Sequence, residues 1–561
     1  MISNLTRLLM GGCASAALTA ATLTVVTPAA HAEGLDDLKL DITSTVSIGM
    51  GIRTSEQDKK LISVRNGGED TATASENFDD GNLNYNRGDF FSASTRMMHE
   101  LHLSNENVGA FVRLGYFYDF VMNDASDTRR TTLSEDAKDA GGTGLEIYDA
   151  YIYGDFTVGD SPVTLRFGNQ VINWGEALFL PGGISQSNAI DVAKVVTPGT
   201  NIREAYLPSP MFYANIGVLP GLSVEGYYQL GWRRSDLLPT GTFFSTDDIL
   251  GPGAEGFFFA GDPGGTGLTA QQLIGLGAGI PKLGDISPRD GGQFGVATRY
   301  YMDSLATELS AFYLRYHAKT PYLSATGNFA FTFVPPFFTA GPAGYYAYYP
   351  EDIDLYGTSV SFPAGPLSIG IEAAYQPDYP LMMDDALTAA TLQAVTNLGP
   401  SRINGVTYGD RWNYIANAAV TIGPGLEYIG AIPGYVGADQ MDVIVEVGAV
   451  DYPGGKPAGV SGDTTAWGGI VSASAIYTNV FGSEFTLKPS ISYTLDVNGT
   501  AVDRSTAGTP IEGQSGLTVG MTATFRDNLS ATVSYTENEG GGLISRNSDR
   551  DYVSLTASYS F

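Results

Sequence analysis

The sequence predicts an all-β fold, a transmembrane antiparallel β-barrel of the outer membrane with about 18 strands within a range of about 14–18. Three observations predict it. The N-terminus reads as an export signal, apolar and polar residues alternate with period two from end to end, and the connections between alternating stretches are long and short by turns.

Residues 1–32, MISNLTRLLMGGCASAALTAATLTVVTPAAHA, carry one positive charge (Arg7), no acid, a small-residue apolar core and Ala30-His31-Ala32 in the Ala-x-Ala cleavage pattern. This is the layout of a secretory signal peptide, so the barrel is expected to span 33–561. The Gly- and Thr-containing core is short for a spanning helix and runs directly into polar sequence. Cys13 is the one cysteine and lies in the segment to be removed. A lipoprotein signal would place its apolar core before that cysteine, whereas here the core continues after it. An exported chain without disulfides needs another source of cohesion, and sheet closure is the expected one.

Composition narrows the class. No stretch after residue 32 approaches the roughly 18 to 20 uninterrupted apolar residues of a spanning helix. The 70 Gly, 32 Tyr and 27 Phe favour strands and turns. The formal net charge is −30, or −31 (−30 − 1) once Arg7 leaves. Such acidity speaks against nucleic acid, which wants a basic footprint, and it keeps a slowly assembling chain soluble in transit.

Strands are expected at 38–54, 88–104, 110–124, 144–158, 163–172, 210–218, 222–233, 292–302, 306–316, 354–363, 367–376, 410–422, 440–451, 465–478, 484–495, 514–526, 529–538 and 551–561. The first, LKLDITSTVSIGMGI, places Leu38, Leu40, Ile42, Val46, Ile48, Met50 and Ile52 on one face, a strand period and not a helical one. The clearest is GLTVGMTATFRDNLSATVSYT, where Leu517, Val519, Met521, Ala523 and Phe525 alternate with Thr and Gly. The chain then turns at Arg526-Asp527-Asn528, and Leu529, Ala531, Val533 and Tyr535 alternate with Ser and Thr. Connections 105–109, 159–162, 219–221, 364–366 and 526–528 are short, whereas 55–87, 125–143, 173–209, 234–291, 317–353 and 377–409 are long. Tight periplasmic turns and long extracellular loops give that alternation. The ending YVSLTASYSF sets Val553, Leu555, Ala557, Tyr559 and Phe561 against an all-hydroxyl face. It resembles the assembly signal of outer-membrane proteins, which implies insertion by the barrel-assembly machinery, and an edge of this kind must pair to survive in lipid.

If the apolar set faces lipid, the other set faces the lumen. Parity points Arg113, Asp119, Arg166, Gln170, Glu225, Gln229, Arg233, Arg411, Asn413, Asn417, Asp442, Glu446 and Lys488 inward. Both signs occur, so the interior reads as mixed, with many of these groups paired across the lumen or with a plug.

Residues 163–250 differ in kind. LRFGNQVINWGEALFLPGGI (165–184), DVAKVVTPGTNIREAYLPSPM (191–211) and VEGYYQLGWRRSDLLPTGTFFSTDDILG (224–251) resemble the proteobacterial outer-membrane family known as domain of unknown function 1302. The resemblance implies an outer-membrane barrel associated with lipid, sterol or hydrocarbon utilisation, and it carries no catalytic residues. Read physically, 173–209 is long and apolar for a solvated loop. Trp174, Leu178, Phe179, Leu180, Ile184, Ile190, Val192, Val195 and Val196 call for burial, while Pro181-Gly182-Gly183 and Pro198-Gly199 force turns. The segment is expected either to fold inward as a constriction or plug, with Trp174, Glu176, Asp191, Lys194, Arg203 and Glu204 near lumen charges, or to cap the barrel from outside.

The loops 255–281 and 322–352 are rich in Phe, Tyr and Leu, and such patches mark binding or lipid contact unless they pack on each other into a lid. No nucleotide or metal motif stands in its structural context, His99 and His102 fall on opposite strand faces, and no cofactor, metal or enzymatic activity is expected. DDGNLNYNRGD (79–89) offers oxygens for Ca²⁺, but its spacing departs from the EF-hand loop and suits a solvated acidic loop better. The expected function is passive uptake or export of hydrophobic small molecules (lipid, fatty acid, sterol or hydrocarbon-like) in the outer membrane of a Gram-negative cell. Outer-membrane lipid, that solute and periplasmic or inner-membrane transport proteins are the partners it implies. The alternative is a structural or envelope-assembly barrel that presents loops to other proteins without transport.

Overall fold

Period-two alternation becomes a single closed sheet in the computed structural model, which describes residues 38–70, 74–124, 130–327, 332–334, 337–339, 343–384, 401–503 and 509–561. The signal peptide, and parts of the loops 125–143, 322–352 and 377–409, lie outside the described residues. In chain order the barrel strands are β1 (Lys39–Arg53), β2 (Phe90–Ser104), β3 (Val108–Asp119), β4 (Thr143–Val158), β5 (Ser161–Gln170) and β6 (Ser209–Leu219). Next come β7 (Leu222–Gln229), β8 (Gln293–Met302), β9 (Thr307–Tyr316), β10 (Ile353–Ala364), β11 (Leu367–Met382) and β12 (Val406–Ile422). The last six are β13 (Gln440–Asp451), β14 (Thr465–Ile476), β15 (Phe485–Asn498), β16 (Ser515–Phe525), β17 (Leu529–Glu539) and β18 (Tyr552–Ser560).

Each strand pairs with its neighbour in sequence, and β1 pairs with both β2 and β18, so the 18-stranded sheet has no open edge. The seam is antiparallel, with Ile48 opposite Ala557 and Met50 opposite Leu555. Closure satisfies the backbone groups that hydrocarbon would otherwise strand. All 18 expected strands are present. Three differences concern their ends. β3 stops at Asp119, where the chain turns into a short helix, Phe120–Asp124. β11 and β12 run further than expected, past a bulge between Gln376 and Tyr379 that re-aims the outer half of the pair. β7 stops at Gln229 because Trp232 turns away, its indole donating to the Ala318 carbonyl at 3.1 Å. Arg233 is thereby corrected: it lies in the loop after β7 and not on the lumen face of a strand.

The two faces separate as parity requires. Ile147 and Ile152 of β4, Phe212 and Ile216 of β6, Val519 and Met521 of β16 and Leu555 of β18 are exposed on the outside. Aromatic pairs flank this apolar band, Phe485 with Phe525 near the short turns and Tyr313 with Tyr356 toward the long loops, as interfacial girdles do. The inner face of β16–β18 is a ladder of hydroxyls bonded across strands, including Thr518–Thr536 (3.1 Å), Thr522–Thr532 (2.9 Å) and Ser534–Ser554 (2.7 Å).

The long loops on one end pack together. Phe258, Leu273 and Ile280 of the 255–281 loop are buried, as are Tyr345 and Tyr346 of 322–352. The described part of these loops is therefore packed on itself at those residues, while Leu276 and Leu283 stay exposed. Asp79, Asp80 and Asp262 bring their carboxylates within 4.8 Å of one another. Arg130 supplies the opposing charge, donating to Asp80 at 3.0 Å and to Asp262 at 2.8 and 2.9 Å. Burial, and then the neighbouring Asp262 carboxylate, push Asp80 up to about 7. Asp248, which accepts the Asp80 N–H, is raised by burial and by Asp80 itself. A carboxyl raised on folding contributes stability that is complete below the ordinary carboxylate range and is lost as pH rises through its folded value. Proteolysis of the intact protein in these loops is therefore expected to be faster at pH 8 than at pH 5, with a protease of matched activity. Asp80→Asn should flatten the difference.

Candidate functional site

The connection from β5 to β6 starts from a closed neck. Gln170 pairs with Ser209, and the Asn188 side chain accepts the Ile172 N–H at 3.1 Å while donating to the Ile172 carbonyl. From that neck the chain folds inward. Trp174 is buried with its indole N–H donating to Glu225 of β7 at 2.9 Å, and the Tyr227 and Phe312 rings lie 5.1 and 5.7 Å away.

From 175 to 187 the backbone has no helix or ladder of its own, so its N–H groups need other acceptors. Inward carboxylates provide them. Glu372 of β11 accepts from the N–H of Glu176 and, at 3.0 Å, from that of Ile184. Glu446 of β13 accepts from Leu178 at 2.7 Å, Phe179 at 3.1 Å and Leu180 at 2.6 Å. Asn417 of β12 donates to the Glu176 carbonyl at 2.6 Å, and Ser359 of β10 donates to the Glu176 carboxylate at 3.0 Å. A carboxylate can accept several N–H bonds at once, which suits the stretch 175–187, irregular and without helix or sheet of its own. Gly183, at φ 63°, permits the closest approach: a Cβ there would stand 1.7 Å from Glu372 Oε1.

The second half of the segment reaches the opposite wall. Asp191 caps the short helix Val192–Val196 by accepting the Lys194 N–H at 3.1 Å. The Lys194 ammonium pairs with Asp191 at 3.0 Å and with Glu146 of β4. Asn201 and Glu204 form a capping box over Ile202–Ala205. Glu204 also meets Arg96 of β2 at 3.4 Å, and Arg203 meets Glu100 of β2 at 3.1 Å. At Gly49 of β1 an added Cβ would lie 1.9 Å from the Pro198 carbonyl, so the turn rests directly on the wall. The segment thus bridges β7 and β10–β13 to β4, β2 and β1 across the inside of the barrel. Not every apolar residue is covered. Trp174 and Ile184 are buried as expected, but Leu178, Phe179, Val195 and Ile202 remain 53, 48, 53 and 64% exposed. The N–H groups of Leu178 and Phe179 are held by the wall while their side chains stay exposed.

The other expected lumen residues divide. Arg113 pairs with Glu100 at 2.7 Å and with Asp149. Glu225 accepts from Tyr213 at 3.1 Å and pairs with Arg299 at 2.6 Å, in addition to holding Trp174. Gln170 is buried and donates to the Met211 carbonyl at 3.3 Å. Arg166 lies over the Tyr151 and Tyr213 rings, at 5.7 and 5.3 Å. Arg411 and Lys488 do not join the segment: Arg411 is buried against Asp503 at 3.4 Å, and Lys488 pairs with Asp442 at 3.1 Å. Glu372, Arg96 and Glu146 were not among the sequence candidates, although the alternation around GIEAAYQ carries a signal for Glu372, with Ile371 on the apolar face.

The family described as Protein of unknown function (DUF1302) matches residues 11–561. No curated protein matches the chain. Similar solved structures include Pseudomonas aeruginosa OpdK with vanillate, 10% identical, with 93% of this chain and 98% of that chain covered and a TM-score of 0.40. Acinetobacter baumannii OccAB3 is 8% identical over 93% of this chain and 99% of that chain, with a TM-score of 0.40. Salmonella typhi OmpF in complex with daunomycin is 10% identical over 94% and 98%, with a TM-score of 0.34.

Proposed function

The chain belongs to the DUF1302 family, and we propose that it is a non-enzymatic outer-membrane channel or capture protein for hydrophobic small molecules. The observation that carries this reading is the inward segment. A barrel of this strand number leaves an aqueous lumen unless something fills it, and here the filling exposes Leu178, Phe179, Val195 and Ile202 inside the barrel. Water bears that exposure at roughly 25 cal/mol per Å² of apolar surface. An apolar solute passing alongside would recover part of it, whereas an ion would gain nothing. Segment 173–209 acts as the constriction in this reading, with Glu372 and Glu446 as its anchors and movement driven by the solute gradient alone.

The test is uptake of the apolar probe N-phenyl-1-naphthylamine by intact cells. Deleting the gene is expected to lower the uptake rate severalfold and to slow growth on apolar carbon sources, with both restored by the full chain. Unchanged uptake and unchanged growth would favour a structural barrel that presents loops to partners.

A further inference from the structure

Among the described residues, most cations on the inner face of the barrel strands are paired with carboxylates. Arg53, Arg96, Arg113, Arg299, Arg411 and Lys488 each have a carboxylate within 3.4 Å. Arg166 is different. Among the described residues no hydrogen bond or ion pair reaches its guanidinium, which is held only over the faces of Tyr151 and Tyr213. Asp149 is close enough to be felt electrostatically, but its carboxylate is engaged by Arg113.

The surroundings are built and fixed. Arg166 stands midway along β5, on the face opposite the exposed Leu165 and Phe167, with Tyr153 and Tyr213 as its direct cross-strand neighbours. The Tyr153 hydroxyl is committed to His102 at 2.7 Å and the Tyr213 hydroxyl to Glu225 at 3.1 Å. Phe111 packs on Tyr151 at 5.6 Å between centroids. Ring faces hold a guanidinium without consuming its N–H donors, so its planar fork stays available, and Arg166 is partly exposed on the inward side.

We propose that Arg166, framed by Tyr151, Tyr153 and Tyr213, is a subsite for the carboxylate of an amphipathic monoanion whose apolar body travels along the lumen. This rests on the reading of the chain as a channel for apolar solutes and narrows its solute class. One feature favours a planar carboxylate over a tetrahedral phosphate. The fork matches a planar carboxylate in two parallel hydrogen bonds.

Hexanoate and its neutral isostere hexanamide test the proposal, titrated calorimetrically into the purified full chain with orthophosphate as a third arm. Hexanoate is expected to bind about tenfold or more tightly than hexanamide, the scale of a hydrogen bond to a charged group, and more tightly than orthophosphate. Arg166→Gln should abolish the hexanoate preference while leaving hexanamide unchanged, and Arg166→Lys should retain part of it. Heat-modifiable gel mobility checks that each variant is folded. Equal binding of hexanoate and hexanamide by the unaltered protein overturns the subsite without need of any variant, as does a preference that survives Arg166→Gln. Loss of the subsite with intact naphthylamine uptake leaves the channel reading standing. Hexanoate preference without such uptake removes the channel reading and keeps the subsite.

Discussion

Val519→Arg is expected to destabilise the barrel by about 2 to 4 kcal/mol, the cost of a cation at the lipid-facing midplane. Thr522→Arg, on the same strand, should cost about 1 kcal/mol, the scale of one lost neutral hydrogen bond. Val519 sits midway along β16, is 46% exposed, and stands between Ile491 of β15 and Tyr535 of β17, which are also on the apolar face. An arginine there must snorkel past these neighbours or pull water into the hydrocarbon. Thr522 turns the other way and bonds Thr532 at 2.9 Å, so an arginine would lose one hydroxyl pair and enter a hydrated lumen. Urea-dependent folding into lipid vesicles, followed by tryptophan fluorescence and heat-modifiable mobility, measures both. Equal losses would mean that the assigned faces are wrong, and so would a larger loss for Thr522→Arg.

The same parity explains how much of the molecule was legible in its sequence. Where one face meets lipid, a strand cannot slip by one residue without exposing its polar set to hydrocarbon. Alternation such as Leu517, Val519 and Met521 therefore identifies strand, face and register together. Strand ends were less legible. Tyr227 and Tyr228 continue an amphipathic pattern toward Arg233, yet the ladder stops at Gln229, because Trp232 finds a partner in the Ala318 carbonyl from a distant loop. β11 runs on to Met382 because a bulge resets its phase, and a pattern reader loses the strand where the phase breaks.

For the site, the apolar density of 173–209 marked a segment with something to bury, but composition could not say which residues it would bury. Leu178 and Phe179 looked no different from Trp174 and Ile184. What separates them is contact with the apolar cluster on the wall: Trp174 lies beside the Tyr227 and Phe312 rings and Ile184 joins the same buried cluster, whereas Leu178 and Phe179 stay exposed. The carboxylates that hold the segment come from positions almost two hundred or more residues away, and no local period encodes them. Arg166 shows the same limit: parity turned it inward, while its lack of a carboxylate among the described residues became visible only beside Arg53, Arg96, Arg113, Arg299, Arg411 and Lys488, each of which has one.

Deleting 180–200 should open the barrel while leaving it inserted. Gln170 and Ser209 are cross-strand neighbours, so the residues left on either side of the deletion can close the loop without straining β5 or β6. The deletion removes Ile184 from Glu372, Leu180 from Glu446 and Lys194 from Glu146. Those carboxylates then face water, where an unpaired charge costs little, in place of a buried site where it would cost several kcal/mol. The lipid-facing belt and the β1–β18 seam are untouched, so heat-modifiable mobility should persist. The lumen then loses its crossing chain, and small polar dyes and antibiotics should enter intact cells severalfold faster. The substitution Glu446→Ala should move permeability in the same direction by a smaller amount, since three N–H groups lose their acceptor while Glu372 still holds Glu176 and Ile184. A deleted chain that inserts normally with unchanged permeability would mean that 173–209 constricts nothing, and the exposed Leu178 and Phe179 would then lie off the path of any solute.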